Sequence, residues 1–246
     1  MSRSTIIERF ENELGGWPAH FAPVLSQDPE IMSAFADLHA AGWSHGPLDE
    51  KVRHLLLLAV NAACTLRHEG GIRHHAARAV AAGANRAEIL EILELTSVLG
   101  IHSCSTGLPI LAEEVAASDG ETHAPPLTDE QQAIKARFLE ERGYWSDFLQ
   151  DMLRFCPALM LAYVGYSTIP YRRGALTPRM REFVFIAIDA QTTHVYSLGI
   201  RAHIRQALKL GATPEELAQV LALTAGVGFY TMTTALPLLT DILPDP

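Results

Sequence analysis

The chain has 246 residues, 48% of them hydrophobic, a formal net charge of −9 and three cysteines. That apolar fraction builds a core and excludes a disordered chain. The acidic balance argues against nucleic acid as a partner, because phosphate binding needs a basic surface. Cys64, Cys104 and Cys156 form no spaced set, and the N-terminal stretch carries charges where a secretory apolar segment would sit. The expectation is a cytoplasmic protein with reduced thiols.

Read in order, the chain repeats itself. Adding 128 to a first-half position turns Ile6, Arg9, Phe10, Glu13, Gly15 and Trp17 into Ile134, Arg137, Phe138, Glu141, Gly143 and Trp145. The same step turns Gly71-Ile72-Arg73 and His75 into Gly199-Ile200-Arg201 and His203. Without a gap, residues 6–111 and 134–239 share 32 of 106 positions. A match of this length is a duplicated domain rather than a solenoid unit of roughly 20–50 residues. The expected organisation is one copy at 1–118, a polar linker at 119–128 containing a Pro pair, and a second copy at 129–246.

Each copy reads as helices. Residues 50–66 are rich in Leu and Ala and lack Gly and Pro, with Asp49 as a cap; the second copy has Thr177 as cap and Pro178 in the first turn. Helices over Ile72–Ala82 and Ile200–Leu210 stop at Gly83 and Gly211. Asn85 with Glu88, and Thr213 with Glu216, have capping-box spacing. From Val220 to Thr240 no residue is charged, and a membrane span needs roughly 20 mostly apolar residues. The segment holds five threonines, two glycines and a proline, and its first-copy counterpart contains Glu94 and His102. Both are therefore read as buried helices with no membrane partner. No alternating strand pattern is present, so the fold class is all-α, with two copies packed as a pseudo-dimer.

The chemistry must come from polar residues set in these apolar helices. His75 and His203 are the one histidine pair shared by both copies; such a residue is either functional or a structural imidazole bonded to backbone. Arg201 and Arg205 lie four apart on one helical face, from which an ideal helix turns His203 away; they either grip a carboxylate or form a solvated basic edge. Glu182, near the start of its helix, either serves the site or favours the helix dipole. Asp189 lies seven residues on and shares its face, so that face lines a polar pocket. The first copy has His54 and Asn61 at these places, and is rich in histidine: His54, His68, His74, His75 and His102. None of these has metal-ligand spacing, and Gly70-Gly71 is expected to break the helix between His68 and His74, so no metal is expected. No phosphate loop, nucleophile elbow or dinucleotide fingerprint appears.

Three segments carry a resemblance: Leu176-Thr-Pro-Arg-Met-Arg-Glu182, then Ile200-Arg-Ala-His-Ile-Arg-Gln-Ala-Leu-Lys-Leu-Gly-Ala-Thr-Pro-Glu-Glu-Leu217, then Val227-Gly-Phe229. Together they resemble the carboxymuconolactone decarboxylase and alkylhydroperoxidase D-like superfamily. The first copy is similar through Lys51-Val-Arg53, Arg73-His-His75, Ala79–Ala84 and Glu88-Ile-Leu90. Peroxidase-type members use a Cys-x-x-Cys pair before the histidine; here those positions hold Tyr196 and Gly199, and His68 and Gly71 in the first copy. Without a resolving pair that thiol cycle cannot run. The decarboxylase branch implies a cofactor-independent enzyme acting on a small carboxylic acid or lactone from aromatic breakdown. His203 then transfers a proton with Glu182 as partner, and Arg201, Arg205, Asp189 and Tyr196 are near the substrate. His75, His54 and His68 mark a possible second site. The alternatives are a divergent oxidoreductase without redox cysteines and a non-catalytic small-acid-binding protein. Single-unit members of the family form trimers or hexamers, which implies a homo-oligomer of fused pairs around a three-fold axis.

Overall fold

The computed structural model describes residues 1–119, 126–239 and 241–242. The first half forms α1 (Arg3–Glu13), α2 (Ala22–Gln27), α3 (Pro29–Trp43), α4 (Glu50–Ala62), α5 (Glu69–Ala81), α6 (Arg86–Ser97) and α7 (His102–Asp119). The second forms α8 (Asp129–Arg142), α9 (Asp147–Phe155), α10 (Pro157–Ser167), α11 (Ile169–Arg173), α12 (Pro178–Ala190), α13 (Ser197–Lys209), α14 (Pro214–Ala225) and α15 (Tyr230–Leu239). No strand occurs among the described residues. Most of the expected linker lies outside the described residues.

The expected caps form. Asp49 accepts from Val52 N–H at α4, and Thr177 accepts from Met180 N–H at α12. Asn85 and Glu88, and Thr213 and Glu216, each satisfy the other's backbone donor. Gly83 and Gly211 take positive φ after α5 and α13. Arg67 and Val195, 128 apart, share another departure, φ of 49° and 46°. For Val, a β-branched residue, this left-handed backbone is strained, and it turns the chain tightly from α12 into α13.

One expectation fails. Gly70 and Gly71 do not break a helix but lie in the first turn of α5. A Cβ on Gly71 would collide with the Asn61 side chain, and one on Gly199 with the Asp189 carboxylate. These glycines are there for close approach between helices, not for flexibility.

By contacts the described chain forms two compact units whose limits differ from those of the repeats: residues 1–97 with 175–246, and residues 98–174. In the second unit α7, α8 and α10 gather around α9, with Phe138, Leu149, Met152, Leu153 and Met160 at its centre. In the first unit the hairpins α4–α5 and α12–α13 lie back to back, with α12 on α4 and α6, and α14 on α3 and α4. The two repeats therefore interlock there. Glu91 of the first repeat accepts from Ala175 N–H, Leu176 N–H and Arg181 Nε in the second, at 2.6, 3.0 and 2.6 Å. Its counterpart Gln219 accepts from Leu48 N–H at 2.8 Å and donates to the Gly42 and Trp43 carbonyls. The Thr65 and Thr193 hydroxyls, 128 residues apart, meet at 3.1 Å. A residue bonded to its own copy lies on a two-fold axis, here the pseudo-axis of the duplication.

The two stretches read as buried helices are less enclosed than expected. Arg86–Ser118 and Pro214–Leu239 are apolar and long enough to cross a membrane by composition, yet 22% and 39% of their most apolar windows are buried.

Candidate active site

Two hairpins make two related polar clusters. In the second repeat, α12 presents Glu182, Phe185 and Asp189 along one face, and α13 runs back over it with His203. The hairpin closes where Tyr196 N–H donates to the Asp189 carbonyl at 2.8 Å. His203 Nδ1 lies 2.7 Å from Glu182 Oε2, and its ring stacks on Phe185 with centroids 4.5 Å apart. Its Nε2 lies 4.0 Å from Asp189 Oδ2. Asp189 is fully buried against Gly199, and burial pushes its carboxyl up to about 7 despite the opposing pull of His203. The site thus pairs a carboxylate on one imidazole nitrogen with a second, buried carboxyl facing the other.

The structure brings Glu182, Asp189 and His203 together. Tyr196 caps α13 beside Gly199, half-buried, its ring against the same glycine as Asp189. Arg201 and Arg205 are exposed on the opposite side of α13 and form no ion pair among the described residues. Phe185, the ring beneath His203, carried no signal in the sequence beyond being one more apolar helix residue.

The first repeat differs at each position. His54 stands in the place of Glu182, and its Nδ1 lies 3.1 Å from His75 Nδ1, both rings being buried. Burial lowers His54 to about 3, and takes His75 well below the usual imidazole range. Asn61 stands in the place of Asp189 and donates to the Leu57 carbonyl and the Tyr230 hydroxyl at 2.7 and 3.2 Å. His68 caps α5, accepting from Gly71 N–H at 2.9 Å, while its ring stacks on Tyr230 at 4.1 Å. His68 therefore belongs with Asn61, Gly71 and Tyr230, and makes no hydrogen bond or ring contact with the His54–His75 pair among the described residues. Tyr230 comes from the far repeat, and no local pattern in the sequence could have placed it here.

The same helical unit is thus present twice, with an imidazole from one hairpin arm facing acid in one copy and imidazole in the other. The chain belongs to the carboxymuconolactone decarboxylase family, whose pattern matches residues 29–101 and 157–241. It is similar to the crystal structure of a provisionally assigned gamma-carboxymuconolactone decarboxylase subunit from Burkholderia xenovorans LB400. The two are 35% identical with a TM-score of 0.90, over 98% of this chain and 97% of that one. No curated protein matches the chain.

Proposed function

We propose that the chain is a cofactor-independent carboxy-lyase acting on a small carboxylic acid or lactone, with His203 as the proton-transfer residue. The observation that carries this reading is the 2.7 Å contact between His203 Nδ1 and Glu182 Oε2. Glu182 fixes the ring's orientation and tautomer and balances the charge of an imidazolium, leaving Nε2 to face substrate. When the substrate carboxylate leaves as CO₂, the electron pair of the broken C–C bond stays on carbon. The proton on His203 Nε2 moves to that carbon, and His203 becomes neutral. Asp189, protonated below about pH 7, lies 4.0 Å from Nε2 and is placed to reload it. Arg201 and Arg205, exposed on the far side of α13, are not placed to meet the substrate carboxylate, and Tyr196 stands at the hairpin end of the cluster.

The peroxidase alternative is disfavoured by the residues before His203, since Tyr196 and Gly199 cannot perform thiol exchange. The test is a panel of small lactone acids, followed for CO₂ release. Stoichiometric CO₂ from at least one supports the proposal. Saturable binding without turnover would make the chain a binding protein, and conversion without CO₂ would place it in another reaction class.

A further inference from the structure

The α4–α5 hairpin of the first repeat gathers positive charge where its second-repeat counterpart does not. Glu50 and His54 stand one turn apart on a face of α4, and His75 and Arg78 one turn apart on a face of α5. His54 is fully buried, with its Nδ1 at 3.1 Å from His75 Nδ1. Its Nε2 has no hydrogen-bond partner among the described residues. The atom facing that nitrogen is Glu50 Oε1, at 3.6 Å, and Arg78 Nη2 lies 3.8 Å from the same oxygen. Arg53 flanks them, its guanidinium 4.3 Å over the Trp43 ring, which in turn lies 4.7 Å from the His54 ring. The Nε atoms of Arg53 and Arg78 are also buried without a hydrogen-bond partner. At the positions 128 residues on, Glu50, Arg78 and Trp43 become Pro178, Gln206 and Tyr171. Arg181, the counterpart of Arg53, is held by Glu91 at 2.6 Å.

The Glu50 distances differ from those of the settled ion pairs in the chain. Glu182 lies on His203, Glu88 on Lys51 and Glu91 on Arg181 at 2.7, 2.9 and 2.6 Å, the length of a charge-assisted hydrogen bond. Glu50 is drawn towards two donors and hydrogen-bonded to neither. Its side chain is 50% exposed and that of Arg78 35%, so this corner opens to water and the carboxylate is free to leave it. Buried donors without an acceptor are costly. His54 Nε2 and the two guanidinium Nε atoms are three such donors beside one loosely held carboxylate, which is the arrangement of an oxyanion site.

We propose that His54 Nε2 and Arg78, flanked by Arg53, bind the carboxylate of a small-molecule ligand in the first repeat, and that Glu50 is a displaceable internal carboxylate covering this site until the ligand arrives. The inference goes beyond the carboxy-lyase reading and does not rest on it.

The protonation states suit this role. Of two ring nitrogens 3.1 Å apart, one donates and the other accepts. An acid facing Nε2 keeps a proton there, so His54 Nδ1 accepts and His75 Nδ1 donates. Burial first, then the charges of His74, Arg78 and Arg53, hold His54 at about 3. His54 is therefore a neutral donor near pH 7, and the charge that balances an incoming carboxylate comes from the two guanidinium groups. An uncharged ligand offers Arg78 nothing in exchange for Glu50, whereas a second carboxylate replaces it like for like. A planar carboxylate also presents one oxygen to each donor, which a chloride ion does not.

The test is an acetate titration of the full chain labelled with ¹⁵N-histidine and ¹⁵N-arginine, with sodium chloride at equal ionic strength as the reference. Acetate is expected to shift the His54 Nε2 and Arg78 Nε resonances saturably, and chloride to leave them near their starting positions. Glu50→Gln, a surface change, removes the competing charge and should tighten acetate binding by about threefold or more. Arg78→Met should weaken it by about tenfold. The proposal is overturned if acetate shifts these nitrogens no more than chloride does. It is equally overturned if folded Glu50→Gln binds acetate no more tightly than the parent, or if folded Arg78→Met binds it as well. None of these readouts involves CO₂ release or His203, so failure here leaves the carboxy-lyase reading to its own test.

Discussion

Burial of Asp189 against Gly199 raises its carboxyl from an ordinary 3.8 to about 7. The folded chain therefore holds that proton more tightly than the unfolded chain does. The stability this confers is fully present below pH 3.8 and is lost as pH rises through 7. Asn61 shows that a neutral amide fits the equivalent place in the first repeat. Asp189→Asn is accordingly expected to match the parent in urea midpoint at pH 4 and exceed it at pH 8. The gain should be on the order of 1–4 kcal/mol, from about 1.4 kcal/mol per pKa unit. A variant less stable than the parent at pH 8 would show that the ionised carboxylate is stabilising in place. The grouping of Glu182, Asp189 and His203 was legible because helical spacing puts the two carboxyls on one face and a helix hairpin returns the histidine over it. Phe185 and Tyr230 were not legible, since any apolar or aromatic helix residue looks like core until its neighbour is known.

At the level of elements, the repeats are tied by polar side chains that cross between them. Glu91 is fully buried and accepts from Arg181 and two backbone N–H groups of the loop before α12. Removing one partner of a buried ion pair costs about 3–5 kcal/mol. Glu91→Gln is expected to lower stability by that order, read as a urea midpoint, even though Gln219 does the corresponding loop capping with an amide. The reason is that Gln219 faces no guanidinium bond like that of Arg181. A loss under about 1 kcal/mol would mean that loop capping, not charge, is what Glu91 contributes. The capping residues of α4, α6, α12 and α14 could be read directly from the sequence, because a cap is a local interaction. Gly70-Gly71 could not, because the Asn61 side chain that requires Gly71 arrives from the preceding helix.

Over the whole molecule, duplication was legible from the offset of 128 residues, and the Thr65–Thr193 contact gives it a geometric axis. The compact units were not, since they follow contacts that cross the repeats rather than chain order. The apolar stretches Arg86–Ser118 and Pro214–Leu239 are mostly unburied within one chain, and exposed apolar faces of this size call for a partner surface. We propose that fused pairs assemble around a three-fold axis; light scattering is expected to return about three times 26.9 kDa, and a monomer at working concentration would contradict it. The two histidine clusters differ, and the proposed function places decarboxylation in the second half. That assignment is tested most directly by the kcat of His203→Gln for CO₂ release from the best substrate of the lactone-acid panel. With the circular dichroism of the parent preserved, kcat should fall by about 10²–10⁴-fold, the usual contribution of a general acid–base group. A folded His203→Gln chain that releases CO₂ within a few-fold of the parent rate would contradict the account.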